Sequence, residues 1–232
     1  NQTLQDVIEL PGSMPARLTG DGVTVRTRWT CSLYDRSYYY NPYMEKYRRE
    51  GNVKLPFFLT PDKHYVGVAW YQKEINLPKD WKKERIVLVL ERPHIESTVW
   101  VNGHKVGMQN SLCVAHIYDV TRYVRTGKCN ITIRIDNRIK EINVGPDSHS
   151  ITDQTQGNWN GIVGRICLQA TPHVYFDDIQ VFPEPEQKLA RVKLRIKSSN
   201  KSSTTAQVCL SAESFNAEKK HILPVLMQEV KV

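Results

Sequence analysis

Residues 98–107 read TVWVNGHKVG: a short run of β-branched and aromatic residues, Thr98–Val101, then Asn102-Gly103, then His104-Lys105-Val106-Gly107. Asn-Gly between two such runs is the strongest short-range sign of a hairpin, because both residues tolerate the positive φ of a type I′ turn. Upstream, Ile86–Leu90 is a continuous apolar run bounded by charge on one side and by Glu91-Arg92-Pro93 on the other. Downstream, Ile131, Ile133 and Ile135 alternate with Thr132, Arg134 and Asp136, the period of a half-buried strand. Ile162–Leu168 and Val174–Val181 are expected strands separated by Thr171-Pro172. Helical signal is confined to one short turn, with Thr121 as its cap, running through Val124 and closed by Gly127. Many short strands with turn residues between them predict an all-β sandwich of the jelly-roll type.

Composition narrows the function classes. No apolar run approaches the roughly 20 residues that a membrane-spanning helix needs, so no membrane role is expected. Asn1–Leu10 lacks the basic start and apolar stretch of a signal peptide; the start reads as a mature end left by cleavage or as a cut boundary. A periplasmic or secreted setting is expected over a cytoplasmic one. The net charge of +8 invites a nucleic-acid reading. Its basic residues are scattered among 24 acidic ones and no recognised nucleic-acid motif accompanies them, so no such partner is expected. The five cysteines form no CxxC, and the seven histidines form no HxH or HxxxH pair. No metal and no cofactor is therefore expected, and buried thiols would serve as small hydrophobes.

Two stretches resist strand assignment. Asp35–His64 interleaves Tyr38, Tyr39, Tyr40, Tyr43, Tyr47, Phe57 and Phe58 with polar and basic residues, and Ile139–Asn160 is polar and rich in Asn, Asp, Gln and Gly. Loops of that length in a compact domain are usually functional. The tyrosines suit either a sugar-facing loop or a surface covered by another domain. After Phe182-Pro183-Glu184-Pro185 the character changes, which predicts a boundary: a first domain over residues 1–184 and a second over 185–232. There Ala190, Val192, Leu194 and Ile196 alternate with Arg191, Lys193, Arg195 and Lys197, predicting one buried face and one basic, solvated face. The adjacent Asp177 and Asp178 should point to opposite faces of their strand.

Read in order, several segments resemble the N-terminal, sugar-binding-type domain of family 2 glycoside hydrolases, the β-galactosidases, β-glucuronidases, β-mannosidases and their relatives. They are Val68–Lys73 with Leu77-Pro78, Ile86–Leu90, Val99–Gly103 with Val106-Gly107, Tyr118–Thr121, Asn130–Asn137, and Asn158–Arg165 leading to Ala170-Thr171-Pro172. The resemblance implies a jelly-roll, galactose-binding-like sandwich followed by part of an immunoglobulin-like sandwich. The three or four strands that fit into 185–232 fall short of the seven or so such a sandwich needs. It also implies that catalysis belongs to a pair of glutamates in a following (β/α)₈ barrel. A barrel takes roughly 250 residues, and 232 leave no room for one; no catalytic residue is assigned here.

What the resemblance leaves to this region is substrate contact through a polar loop that reaches towards the barrel. The candidates are Asp136, Asn137, Arg138, Asp153, Gln154, Asn158, Trp159 and Asn160. Carboxylate and amide groups match vicinal hydroxyls, and Trp159 offers a flat apolar face to a pyranose. The competing reading is local: Asn and Asp satisfy turns, and a Trp beside Gly packs inward. The expected partners are a terminal β-linked sugar and the protein's own barrel, with homo-oligomerisation open. Two alternatives stand beside the accessory-region reading: an autonomous carbohydrate-binding module, and a purely structural or oligomerisation domain.

Overall fold

The computed structural model describes residues 6–30, 36–54, 62–140, 148–149, 157–200, 203–214, 218 and 222–232. The chain divides into two compact units, Asn1–Gln169 and Ala170–Val232. The principal strands of the first are β1 (Val68–Leu77), β2 (Arg85–Leu90), β3 (Glu96–Val101), β4 (His104–Asn110), β5 (His116–Asp119), β6 (Gly127–Asp136) and β7 (Ile166–Thr171). They form a four-stranded sheet in the order β1-β6-β3-β4 and a three-stranded sheet in the order β7-β2-β5. A third small sheet joins Gly12–Ser13, Gly161–Ile162 and Pro93–His94. The fold is all-β, with 3-10 turns as the only helical elements among the described residues.

The two larger sheets enclose one core. β2 contributes Ile86, Leu88 and Leu90, β3 Val99 and Val101, β5 Tyr118, and β6 Cys129, Ile131, Ile133 and Ile135, with Ile162 closing one end. Each fully buried Ile, Leu or Val contributes roughly 1.5–3 kcal/mol relative to exposure, which makes the alternation along β6 the main reason its register holds. A slip by one residue would turn the whole isoleucine row to solvent. The β3–β4 hairpin turns on Asn102 (φ 50°) and Gly103 (φ 80°), the two positive φ values that a type I′ turn demands. Asn102 also ties the turn down, accepting from Asn130 N–H and donating to the Tyr123 carbonyl.

Several local expectations are corrected. Thr121 opens a 3-10 turn, Thr121–Tyr123, but caps nothing within it; its hydroxyl accepts from Ile86 N–H and donates to Asp119, stitching the turn to β2. The apolar run from Ile162 is not one strand: Gly161–Ile162 and β7 are separated at Val163–Arg165. There the chain crosses Glu91 so closely that a Cβ on Gly164 would lie 2.6 Å from the Glu91 carbonyl oxygen.

In the second unit, β8 (Val174–Glu184) pairs antiparallel with β9 (Leu189–Ser198), and β10 (Thr205–Leu210) with β11 (Leu226–Lys231). The division between units falls at Gln169/Ala170, ahead of the step expected at Glu184/Pro185, because β8 forms its ladder with β9. Val192, Leu194 and Ile196 are half-exposed or exposed rather than buried, since a two-stranded ladder carries no second layer over that face. The ladder is irregular between Phe176 and Asp178, and the bulge brings both neighbouring carboxylates to one side. Asp177 lies 3.4 Å and Asp178 3.9 Å from Arg195, so the opposite-face expectation fails there.

Candidate functional site

Asp136, the last residue of β6, stands opposite Val68 of β1 and Glu96 of β3. Its side chain shares the outer face of the sheet with Arg134 and Glu96, the face away from the isoleucine row. Three cations converge on two carboxylates there. Arg134 reaches Glu96 at 2.7 Å and Asp136 at 3.0 Å, Arg138 reaches Asp136 at 2.7 Å, and Lys140 reaches Asp136 at 2.7 Å and Glu96 at 3.1 Å. Burial alone would push the Asp136 carboxyl up, but hydrogen bonds from Arg138 and Lys140 together outweigh it and hold the pKa well below the usual carboxylate range. Glu96 is treated likewise: burial raises it, and Arg134 and Lys140 bring it below its ordinary value. The carboxylates lie deep, with side chains 0% and 14% exposed, whereas Arg138 and Lys140 are 51% and 37% exposed. The cluster therefore shows solvent its positive pole.

Beside this cluster the chain leaves the sheet through Asn137, which is fully buried. Its amide nitrogen donates to the Tyr65 carbonyl at 2.7 Å and to Asn158 Oδ1 at 3.2 Å, and its Oδ1 accepts from Gly67 N–H at 2.8 Å. Asn158 donates to the Asn137 carbonyl at 2.9 Å and to the Thr30 hydroxyl at 3.0 Å. Asn160 accepts from the Tyr71 hydroxyl and donates to the Gly67 and Ile135 carbonyls. These three amides knit Gly67, Asn137 and the 158–160 segment into one end of the sandwich. Their hydrogen-bonding groups serve the protein, as turn and loop asparagines commonly do.

Trp159, between the two buried asparagines, is half-buried and stacks on His94 with ring centroids 4.4 Å apart. Burial lowers the His94 pKa to about 4, against the opposing pull of a hydrogen bond with the Asn158 side chain. A neutral imidazole is therefore the partner of the Trp159 ring at physiological pH.

The structure thus gathers Asp136, Asn137, Arg138, Asn158, Trp159 and Asn160 at one place. Of these, Arg138 and Trp159 keep surface for an external ligand, while Asp136 and the asparagines are enclosed. Asp153 and Gln154 lie outside the described residues. Sequence reasoning passed over Glu96, Lys140 and His94. Lys140 was signalled by the alternate charges Arg134, Asp136, Arg138 and Lys140 at and just past the end of one strand, whereas Glu96 lies on another strand and carried no such signal. Nothing local marked His94.

The chain matches the family model for the sugar-binding domain of family 2 glycosyl hydrolases over residues 16–172. It belongs to that family. The matched stretch contains every candidate site residue and ends three residues past the first compact unit. Among curated relatives it is 28% identical to human β-glucuronidase over 162 residues, 60% of this chain and 25% of that protein. It is 28% identical to the mouse β-glucuronidase over 149 residues, 55% of this chain and 23% of that protein. A solved Bacteroides uniformis β-glucuronidase 2 superposes with a TM-score of 0.56 at 18% identity, covering 72% of this chain and 20% of that one, which speaks for the fold alone. The chain spans about a quarter of the length of the curated relatives it matches. Family 2 membership accounts for the sandwich and for the Val68–Pro172 motif order.

Proposed function

We propose that this chain is the non-catalytic N-terminal region of a family 2 glycosidase, one that acts on a terminal β-linked sugar and packs on a (β/α)₈ catalytic barrel. The observation that carries the reading is the family match over residues 16–172 together with relatives of which the matched stretch covers only about a quarter, among them β-glucuronidases. Its task is to present one wall of the sugar pocket. Trp159 is the group suited to it, supplying a ring face for the apolar side of a pyranose. The second unit supports an immunoglobulin-like continuation, because Phe176, Ile179, Val181 and Leu194 form an apolar surface on the ladder that only a further sheet would bury.

General chemistry requires two carboxyl groups flanking the glycosidic bond, about 5–5.5 Å apart for a retaining enzyme. The deep carboxylates of this chain, Asp136 and Glu96, are held ionised by three cations and cannot donate a proton. The test is to assay this chain, and the longer protein that carries it, on aryl β-glucuronides, β-galactosides and β-mannosides. Hydrolysis by the longer protein alone is expected. Turnover by the chain itself, abolished by one Asp or Glu substitution within it, would overturn the reading.

A further inference from the structure

The outer face of an antiparallel sheet that meets water should read polar. On the outer face of the four-stranded sheet two tryptophans lie together instead. Trp70 of β1 and Trp100 of β3 have ring centroids 5.1 Å apart and planes inclined by 38°. Trp70 is 59% exposed, a large apolar area to leave in solvent on a sheet face. Gln72 and Thr132, hydrogen-bonded to each other at 3.3 Å, border the pair on one side. Arg134 stands opposite Trp70 across the β1–β6 ladder, and Thr132 and Lys105 stand opposite Trp100. Two residues beyond Arg134 on the same face comes Asp136, with the exposed Arg138 and Lys140 gathered on it. An aromatic platform is therefore continuous with a cluster whose deep charges are negative and whose exposed charges are positive, three cations to two carboxylates.

From this juxtaposition we infer that the Trp70–Trp100 face is a second carbohydrate-binding site, distinct from the Trp159 edge, and that it takes a pyranose bearing an anionic substituent. The apolar side of the sugar ring lies on Trp70, and the anion meets the exposed pole formed by Arg138 and Lys140. The physical basis is twofold. A pyranose buries its C–H face well against an indole, and charge-assisted hydrogen bonds from Arg and Lys to an anion are stronger than neutral ones. Neutral sugars satisfy only the first requirement. A carboxylate and a sulfate ester present the same chemistry to the site. The inference goes beyond the accessory-region reading: this face needs no other part of an enzyme, so its failure would leave that reading standing.

The experiment follows the indole N–H signals of Trp70 and Trp100 by NMR in the 232-residue chain. The probes are a glucuronate-terminated disaccharide, a sulfated disaccharide and neutral cellobiose. Saturable shifts at both indoles with a Kd of about 1 mM, some −4 kcal/mol, are expected from at least one anionic probe, with cellobiose at least about fivefold weaker. A response to the glucuronate probe alone assigns a carboxylate, to the sulfated probe alone a sulfate ester, and to both an anion read by charge. Trp70→Ala should weaken the anionic probe about tenfold. Lys140→Gln, which leaves the platform in place, should erase its advantage over cellobiose, and spectra of both variants report whether they fold. Equal response to neutral and anionic probes, or no shift at these indoles, overturns the site. So does binding that persists in folded Trp70→Ala. Burial of both indoles in the longer enzyme, seen as loss of their accessibility to a soluble quencher, would make the face a docking surface for another domain and would likewise overturn it.

Discussion

Asn158 donates its side-chain amide to the main-chain carbonyl of Asn137 at 2.9 Å, and Asn137 returns a bond to Asn158 Oδ1 at 3.2 Å. This reciprocal pair joins two segments twenty-one residues apart and sets Trp159 beside the charged end of β6.

Truncating Asn137 should therefore destabilise the fold. Asn137→Ala removes the acceptor of Gly67 N–H and a donor to the Tyr65 carbonyl. Leaving such groups unsatisfied costs about 1–3 kcal/mol, and each kcal/mol lowers the melting temperature by about 2–4 °C in a domain of this size. Thermal unfolding followed by circular dichroism measures the shift. An unchanged melting temperature would mean the pair is decorative.

Stability should fall as the pH is lowered from neutrality, with His94 contributing. Its pKa is about 4 in the folded protein, against an ordinary histidine value of 6.5 in the unfolded chain. Above pH 6.5 both states are neutral there and His94 has no effect. Below it the unfolded chain takes up a proton that the folded protein refuses, so stability drops until the pH reaches about 4. The loss over that window is about 3 kcal/mol. His94→Phe keeps a ring against Trp159 and should flatten the slope of unfolding free energy between pH 6.5 and 4. A variant with the wild-type slope would place the pH dependence elsewhere.

Neutral monosaccharides should bind this chain at millimolar affinity or weaker, about −4 kcal/mol at best. One wall of a pocket leaves the other side of the sugar in water, and exchanging water for protein at a hydroxyl gains little. Isothermal titration calorimetry with galactose, glucose and mannose tests this. Micromolar binding to any of them would favour an autonomous carbohydrate-binding module.

In the longer enzyme, Asp153→Ala or Trp159→Ala should lower kcat/KM with the melting temperature preserved. Losing one hydrogen bond to a neutral hydroxyl costs about 0.5–1.5 kcal/mol, and about 1.5–3 where a charge is involved. The expected decrease is thus a few-fold to about a hundredfold. Steady-state kinetics and thermal unfolding are read together. If melting falls while the folded fraction keeps normal kcat/KM, both residues are scaffold.

What the sequence determined by itself was local. Asn102-Gly103 specifies its turn because steric limits on φ act within two residues, and Ile131, Ile133 and Ile135 specify a strand face because water sorts alternate side chains. The resemblance carried by the order of motifs from Val68 to Pro172 extended this to the family. Tertiary structure alone decided which polar residues face outward. Asn137, Asn158 and Asn160 are as hydrophilic as Arg138, yet they are buried because their amides meet Gly67, Tyr65, Tyr71 and Thr30, partners 70 or more residues away in most cases. Asp177 and Asp178 share a side because a bulge in pairing with the following strand overrides the period of two. Trp70 and Trp100 became neighbours only when β6 paired with β1 on one edge and β3 on the other. Such contacts depend on closing long loops, and no window of neighbouring residues contains the free energy that selects them.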